Sequence, residues 1–221
     1  MEIAVAKLIR SRRRTLALEI SANAELIVRA PLSTSQEYIK KFILQKSAWI
    51  RKKQQLINDF RKQHPVTEYV DGAKILYLGE TYQLKVIDDA EIFFADALFF
   101  PKRFLNKAPM HLLHWYKKQA LEVISARVAF YAKQIGVQYT AVKISSANKR
   151  WGSCSQKGSL NFSWRLIKAP EMVIDYVVVH ELVHLWVKNH SRKFWYEVAK
   201  IFPLYKTARR YLKDNSRRLL V

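Results

Sequence analysis

The chain has 221 residues, half of them apolar and 13% aromatic, so it can bury a core, and intrinsic disorder is excluded as its main state. Five Gly and six Pro exclude a collagen-like or low-complexity chain, and the single cysteine, Cys154, excludes an internal disulfide framework and fits a reducing compartment. Lys and Arg number 39 against 18 Asp and Glu, a formal net charge of +21 that brings nucleic acid, anionic membrane surfaces and acidic proteins forward as partners.

The first thirty residues read as short strands. Arg14–Ile20 alternates imperfectly, Ser21-Ala22-Asn23 is turn-like, Glu25–Arg29 follows, and Pro31 closes the segment. Thr34-Ser35-Gln36-Glu37 then has the capping-box pattern, a hydroxyl followed three residues later by a carboxylate. Behind it Ile39, Phe42, Ile43, Ile50, Ile57 and Phe60 recur near helical spacing and predict one long helix, its other side covered by Lys40, Lys41, Lys46, Arg51, Lys52 and Lys53. From Tyr69 to Phe100 the pattern changes to strands: a hairpin with its turn at Gly79-Glu80, a second turn at Asp88-Asp89, and aromatic strand residues at Phe93-Phe94 and Leu98–Phe100. Pro109 opens a second long helix that runs to Ile135 and stops at Gly136, a residue that accepts the left-handed conformation. Val137–Ser145 and Gly158–Trp164 read as strands, and Pro170 sets the first position of a third helix. These elements divide into an N-terminal basic strand-and-helix region, residues 1–105, and a second domain, residues 106–221.

No apolar run approaches the roughly 20 residues that span a bilayer. The N-terminus places its apolar stretch before its positive cluster, the reverse of a secretory signal. The expectation is a soluble, cytoplasmic protein that does not enter membranes.

The third helix carries the strongest chemical signal. His180-Glu181-Leu182-Val183-His184 puts two histidines one turn apart on one helix face, where both imidazoles can reach one zinc ion. Glu181 stands beside that face, where a general base would take a proton from water. The helix is apolar around much of its circumference, through Val173, Val177, Val178, Leu182 and Leu185, so polar groups inside it need partners. The bland alternative is a histidine pair satisfied by core hydrogen bonds, with Glu181 on the surface.

A catalytic zinc takes a third protein ligand and keeps one position open. His190 is the choice, provided the helix ends before it. Asn189 in the left-handed conformation would end the helix, and Ser191 would cap a following one over Ser191–Ile201, leaving His190 at the corner. The spacing of His190 equals that of metzincin proteases, although Val187 stands where their turn requires Gly. Glu197, on that next helix, is the alternative ligand or a partner of one.

Beyond these motifs the chain resembles the YgjP-like metallopeptidase family. The likeness is carried by Arg150-Trp151-Gly152-Ser153-Cys154-Ser155, Trp164-Arg165-Leu166-Ile167, Ala169-Pro170, Ile174–Leu182, Asn189-His190-Ser191 and Phe194-Trp195. It extends to Ser11–Arg14, Arg29-Ala30-Pro31 and Trp49-Ile50-Arg51 near the N-terminus. The resemblance implies an α+β fold with a zincin-like metallopeptidase domain, zinc held by His180, His184 and His190, and Glu181 as catalytic base. It implies a protein or peptide substrate and a more distant similarity to SprT-like and Wss-type proteases, which act on proteins crosslinked to DNA. The expected function is therefore zinc-dependent peptide hydrolysis, with DNA or RNA as a partner through the basic surface. The alternative is a basic nucleic-acid-binding module with a structural zinc.

Gly152 is expected to make a tight turn near the metal, with Arg150 or Trp151 lining a substrate groove and Cys154 as a small buried residue. The Leu160–Leu166 strand is expected to offer an edge to the substrate, and Tyr205 and Arg165 are candidates for stabilising the oxyanion.

Overall fold

The computed structural model describes residues 3–21, 23–63 and 69–220, without the side chains of residues 60–63. Ala22 of the expected turn and the Phe60 side chain of the expected helical stripe lie outside the described residues.

The fold is α+β, and the chain divides into two compact units, Met1–Thr67 and Glu68–Val221. In the first unit, β1 (Val5–Ser11), β2 (Ala17–Ile20) and β3 (Leu26–Pro31) form a sheet in the order β1-β3-β2. The β3 residues Leu26, Val28 and Ala30 alternate inward and are fully buried, the period of two that a sheet with one covered face requires. Ile39, Ile43 and Ile50 cover that face. They come from two helices, α1 (Gln36–Gln45) and α2 (Ser47–Gln63), where the sequence pattern predicts one. The break is at Lys46, whose backbone leaves helical geometry at φ −100° and ψ 9°. The cap is Ser35 rather than Thr34: its hydroxyl accepts from the Tyr38 amide at 3.2 Å.

The second unit opens with β4 (Lys74–Tyr77), β5 (Glu80–Ile87), β6 (Phe93–Phe94) and β7 (Leu98–Pro101), in the order β4-β5-β7-β6. Sequence grouped residues 69–105 with the N-terminal region. In the structure Ile75, Tyr77, Leu84, Leu98 and Phe100 belong to the same core as the helices that follow. The hairpin turn is Leu78-Gly79, one residue earlier than predicted, with φ of 49° and 90° at its two positions, as a turn matched to strand twist demands. It docks on the segment just before the motif-bearing helix: the Leu78 and Gly79 amides donate to the carbonyls of Ile167 and Lys168.

After a 3-10 segment over Lys102–Lys107 comes α3 (Ala108–Ile135), ended by Gly136 at φ 70° as predicted. Strands β8 (Ala141–Ser145), β9 (Gly152–Cys154) and β10 (Ser159–Ser163) form a second sheet in the order β8-β10-β9. The short β9, unpredicted because three residues carry no readable alternation, is an edge of this sheet, whereas β10 is flanked on both sides. A 3-10 segment, Trp164–Lys168, leads through Pro170 into α4 (Glu171–Val183), followed by α5 (Arg192–Ile201) and α6 (Tyr205–Leu220).

Apolar residues surround α4, as befits a helix buried on every side, and Val173–Val179 is an unbroken buried run. Its one carboxylate in that run, Asp175, is matched rather than stranded. Arg127 of α3 donates to both Asp175 oxygens at 2.5 and 2.7 Å, and the Tyr131 hydroxyl adds a bond at 3.2 Å. Among the described residues no helix is long and apolar enough to cross a membrane.

Candidate active site

His180 lies in the last turn of α4, and the helix ends at Val183, so His184 is already the C-cap. The chain leaves the helix through a turn over residues 184–186, earlier than the sequence reading placed the stop. Asn189 is not left-handed: the only positive-φ residues other than glycine among those described are Ala24 and Leu78. Instead the Asn189 side-chain oxygen accepts from the Ser191 amide at 3.3 Å, an Asx turn that swings the chain into α5. The corner residue between them is His190, as expected.

The three imidazoles converge. Their ring centroids are 5.0, 4.9 and 4.8 Å apart, an almost equilateral triangle. The Nε2 of His190 lies 3.0 Å from that of His180 and 3.2 Å from that of His184. The His184 Nδ1 lies 3.0 Å from the Val187 carbonyl, which can only accept. That bond fixes the proton on Nδ1 and leaves the Nε2 lone pair facing the other two rings. The Nδ1 of His180 is buried with no hydrogen-bond partner among the described residues. Under the triangle lies Phe194 of α5, fully buried, its ring 4.5–4.8 Å from all three imidazoles. Trp195 closes one side, near His180 at 5.8 Å and His190 at 5.9 Å.

This environment suppresses protonation of His180 and His184. Burial, followed by the mutual presence of His184, His190 and Arg209, pulls His180 down to about 3, and burial also lowers His184. Neutral imidazoles with convergent lone pairs are what a metal ion requires, so the donor set fits one: the three nitrogens lie within 4.8 Å of one another. Glu197 is not among the convergent groups.

Glu181 is 5% exposed on the adjoining face of α4. Burial raises its carboxyl to about 8, with Arg150 acting in the opposite direction. Gly152 of β9 packs directly on this side chain: a Cβ there would lie 2.6 Å from both Cγ and Oε1 of Glu181. The glycine serves a close approach and not the tight turn expected of it, since its φ is ordinary. Beside it a cavity of about 170 Å³ is lined by Arg150, Trp151, Gly152, Ser153 and Asn161.

The other sequence-named candidates sort plainly. Burial raises the Cys154 thiol, which leaves it a poor nucleophile. Arg165 donates to the carbonyls of Leu220 and Ser146 at 3.3 and 3.2 Å and covers the Trp164 ring, so it ties loops together. Tyr205 stacks on Trp195 at 5.6 Å. The structure adds Phe194, Trp195, Tyr176 and Arg209 to the neighbourhood. Tyr176 was legible in principle, four residues before His180 on the same helix face, and its ring meets His180 edge-on at 5.8 Å.

Three histidines converging on one point, beside a buried carboxylate and an open sheet edge, are the parts of a metal-dependent hydrolase. The chain belongs to the YgjP-like, metallopeptidase domain family, whose profile matches residues 14–215. It is therefore a peptidase acting on protein or peptide substrates, and its family implies a catalytic metal. None of the curated proteins matches it. Among solved structures it is similar to the metallopeptidase zymogen abylysin of Pyrococcus abyssi, with 26% identity and a TM-score of 0.38 over 41% of this chain and 93% of that one. It is also similar to the zymogen jannalysin of Methanocaldococcus jannaschii, with 20% identity and a TM-score of 0.37 over 44% of this chain and 97% of that one.

Proposed function

We propose that this protein is a zinc endopeptidase in which His180, His184 and His190 hold the zinc and Glu181 is the general base, with residues 68–221 as the peptidase unit. The observation that carries the reading is the imidazole triangle with a buried carboxylate on the same helix. Three protein ligands leave a fourth position open, whereas a structural zinc takes four, which argues against the structural-zinc alternative. When bound, zinc polarises the scissile carbonyl and makes water a stronger acid. Glu181, with its raised proton affinity, takes the water proton and passes it to the leaving amine. The peptide lies along the free edge of β9, next to Glu181, rather than along Leu160–Leu166, because β10 is already paired on both sides.

A second observation favours nucleic-acid-associated substrates. On α6, Lys206, Arg210 and Lys213 are exposed and fall within about 60° of one another around the helix. They lie opposite the buried Ala208, Leu212 and Leu219, a cationic ridge suited to a phosphate backbone. The test is proteolysis of bulk protein substrates by zinc-loaded protein, with and without DNA and over a salt series, against Glu181→Gln. The variant is expected to keep zinc and lose hydrolysis. Full activity in Glu181→Gln removes the mechanism, and rates indifferent to DNA at low salt remove the nucleic-acid association.

A further inference from the structure

Tyr205 and Arg209 stand one turn apart on α6, and both rest on the same indole. Trp195 stacks on Tyr205 with an angle of 24° between the rings, and the Arg209 guanidinium carbon lies 5.0 Å from its centroid. The same indole borders His180 and His190. Trp195 thus joins a cation to two members of the histidine triangle. Among the described residues no carboxylate forms an ion pair with Arg209.

Arg209 is exposed at the rim of the site, and a cation there without a carboxylate partner repels a metal ion to the extent that water leaves the charges unscreened. The arrangement gains when an anion lies between the two. Peptide hydrolysis creates such an anion. The water oxygen adds to the carbonyl carbon, Glu181 takes the water proton, and the π pair of the carbonyl moves onto its oxygen. The C–N bond then breaks, the pair re-forms the carbonyl, and the amine leaves with the proton from Glu181. The oxygen bears full charge only between these events, so a cation aimed there acts on the transition state and barely on the bound peptide.

We propose that Arg209, carried on the Trp195 ring, stabilises the oxyanion of the tetrahedral intermediate. The proposal rests on the reading of this site as a zinc peptidase. It replaces both sequence candidates: Arg165 is engaged with two carbonyls elsewhere, and Tyr205 forms part of the stack that holds Trp195.

The experiment compares wild type, Arg209→Met, Arg209→Lys and Glu181→Gln for zinc content, melting temperature, kcat and KM on one peptide. It also measures the affinity of a peptide phosphinate, which mimics the tetrahedral anion. Arg209→Met should keep stoichiometric zinc and lower kcat about 10²–10³-fold with KM little changed, as loss of an oxyanion donor does. Phosphinate affinity should fall by a similar factor, and Arg209→Lys should recover part of both losses. Wild-type kcat in Arg209→Met overturns the proposal, as does loss of zinc from it. A defect confined to peptides with a free C-terminal carboxylate, absent with amidated ones, also overturns it by making Arg209 a terminus anchor. Wild-type protein without Glu181-dependent hydrolysis would instead defeat the underlying reading, and this proposal with it.

Discussion

Gly152 and Glu181 are packed so closely that a methyl group on the glycine would sit 2.6 Å from the carboxylate Oε1. The atoms it would meet all belong to the Glu181 side chain, not to backbone, so the clash can be relieved by turning that side chain. Relief comes at the expense of the position of Glu181, the proposed base. Gly152→Ala is therefore expected to cost little stability, about 1 kcal/mol or less. Its kcat should fall about 100-fold, the scale of a 1 Å misplacement of a catalytic group. Peptidase rate, melting temperature and zinc content on one preparation check this. A variant that melts far below wild type, or cleaves at the wild-type rate, contradicts it.

Phe194 supports the triangle from beneath and touches each imidazole ring, with no exposure to solvent. Phe194→Ala opens a cavity under the histidines and should cost about 3–5 kcal/mol. The rings lose their common floor, so zinc affinity should fall about 10–100-fold, as when groups that orient metal ligands are removed. Chelator competition reads the affinity and urea unfolding of the metal-free protein reads the stability. Phe194→Leu, which keeps most of the volume, should sit between the two. Unchanged zinc affinity in Phe194→Ala would show that the histidines are held without it.

The part of this site that sequence made legible is the part written in short-range spacing. His180 and His184 are four apart on a buried apolar helix, and His190 follows after a chain break that Asn189 and Ser191 announced. The break itself came about differently, through an Asx turn and an early helix end, because side-chain hydrogen bonding can end a helix as well as a left-handed residue does. What spacing could not convey is proximity across the fold. Gly152 is 29 positions from Glu181 and meets it only through tertiary packing, and Arg209, 29 positions from His180, comes near it only by way of the Trp195 ring. The same limit explains the strands. β4 to β7 were read correctly as strands but grouped with the wrong neighbours, since a hairpin's own alternation does not say which core its inner face joins. The edge strand β9 escaped because three residues are too few to show a period.

Asp175 and Arg127 tie α3 to α4 through two charge-assisted hydrogen bonds, with the carboxylate side chain 11% exposed and the guanidinium 31%. The bonds to Asp175 raise the proton affinity of Arg127 further, so the guanidinium stays charged across the physiological range. Removing one partner strands the other's charge. Arg127→Met is expected to cost about 3 kcal/mol, the low end for a buried pair because the arginine is partly solvated. The double variant Arg127→Met/Asp175→Leu should recover most of that loss, since two apolar groups leave no charge uncompensated. Urea unfolding of the three proteins gives the cycle. A double variant less stable than Arg127→Met would mean that the pair contributes net stability of its own.

Lys168 ends the 3-10 segment before α4 at only 8% exposure, its ammonium 5.2 Å from the Tyr116 ring and 5.1 Å from that of Trp164. Burial, with Arg165 nearby, lowers its pKa from 10.5 to about 8, so the folded chain binds this proton less tightly than the unfolded one. Below pH 8 both states are protonated and the folded state bears the whole penalty of a buried charge. Between pH 8 and 10.5 the folded chain has released a proton that the unfolded chain still holds, and stability rises with pH by about 1.4 kcal/mol per unit. Relative to Lys168→Met, wild type should therefore gain about 2–3 kcal/mol between pH 7.5 and 10, which is also the amount by which the substitution helps most at the lower pH. Taking the difference between the two proteins cancels the titrations they share, including those of the buried tyrosines. Urea unfolding at a series of pH values measures it. A difference that stays flat from pH 7.5 to 10, or that shifts in favour of the methionine variant as pH rises, would show that the ammonium is not held against its own desolvation.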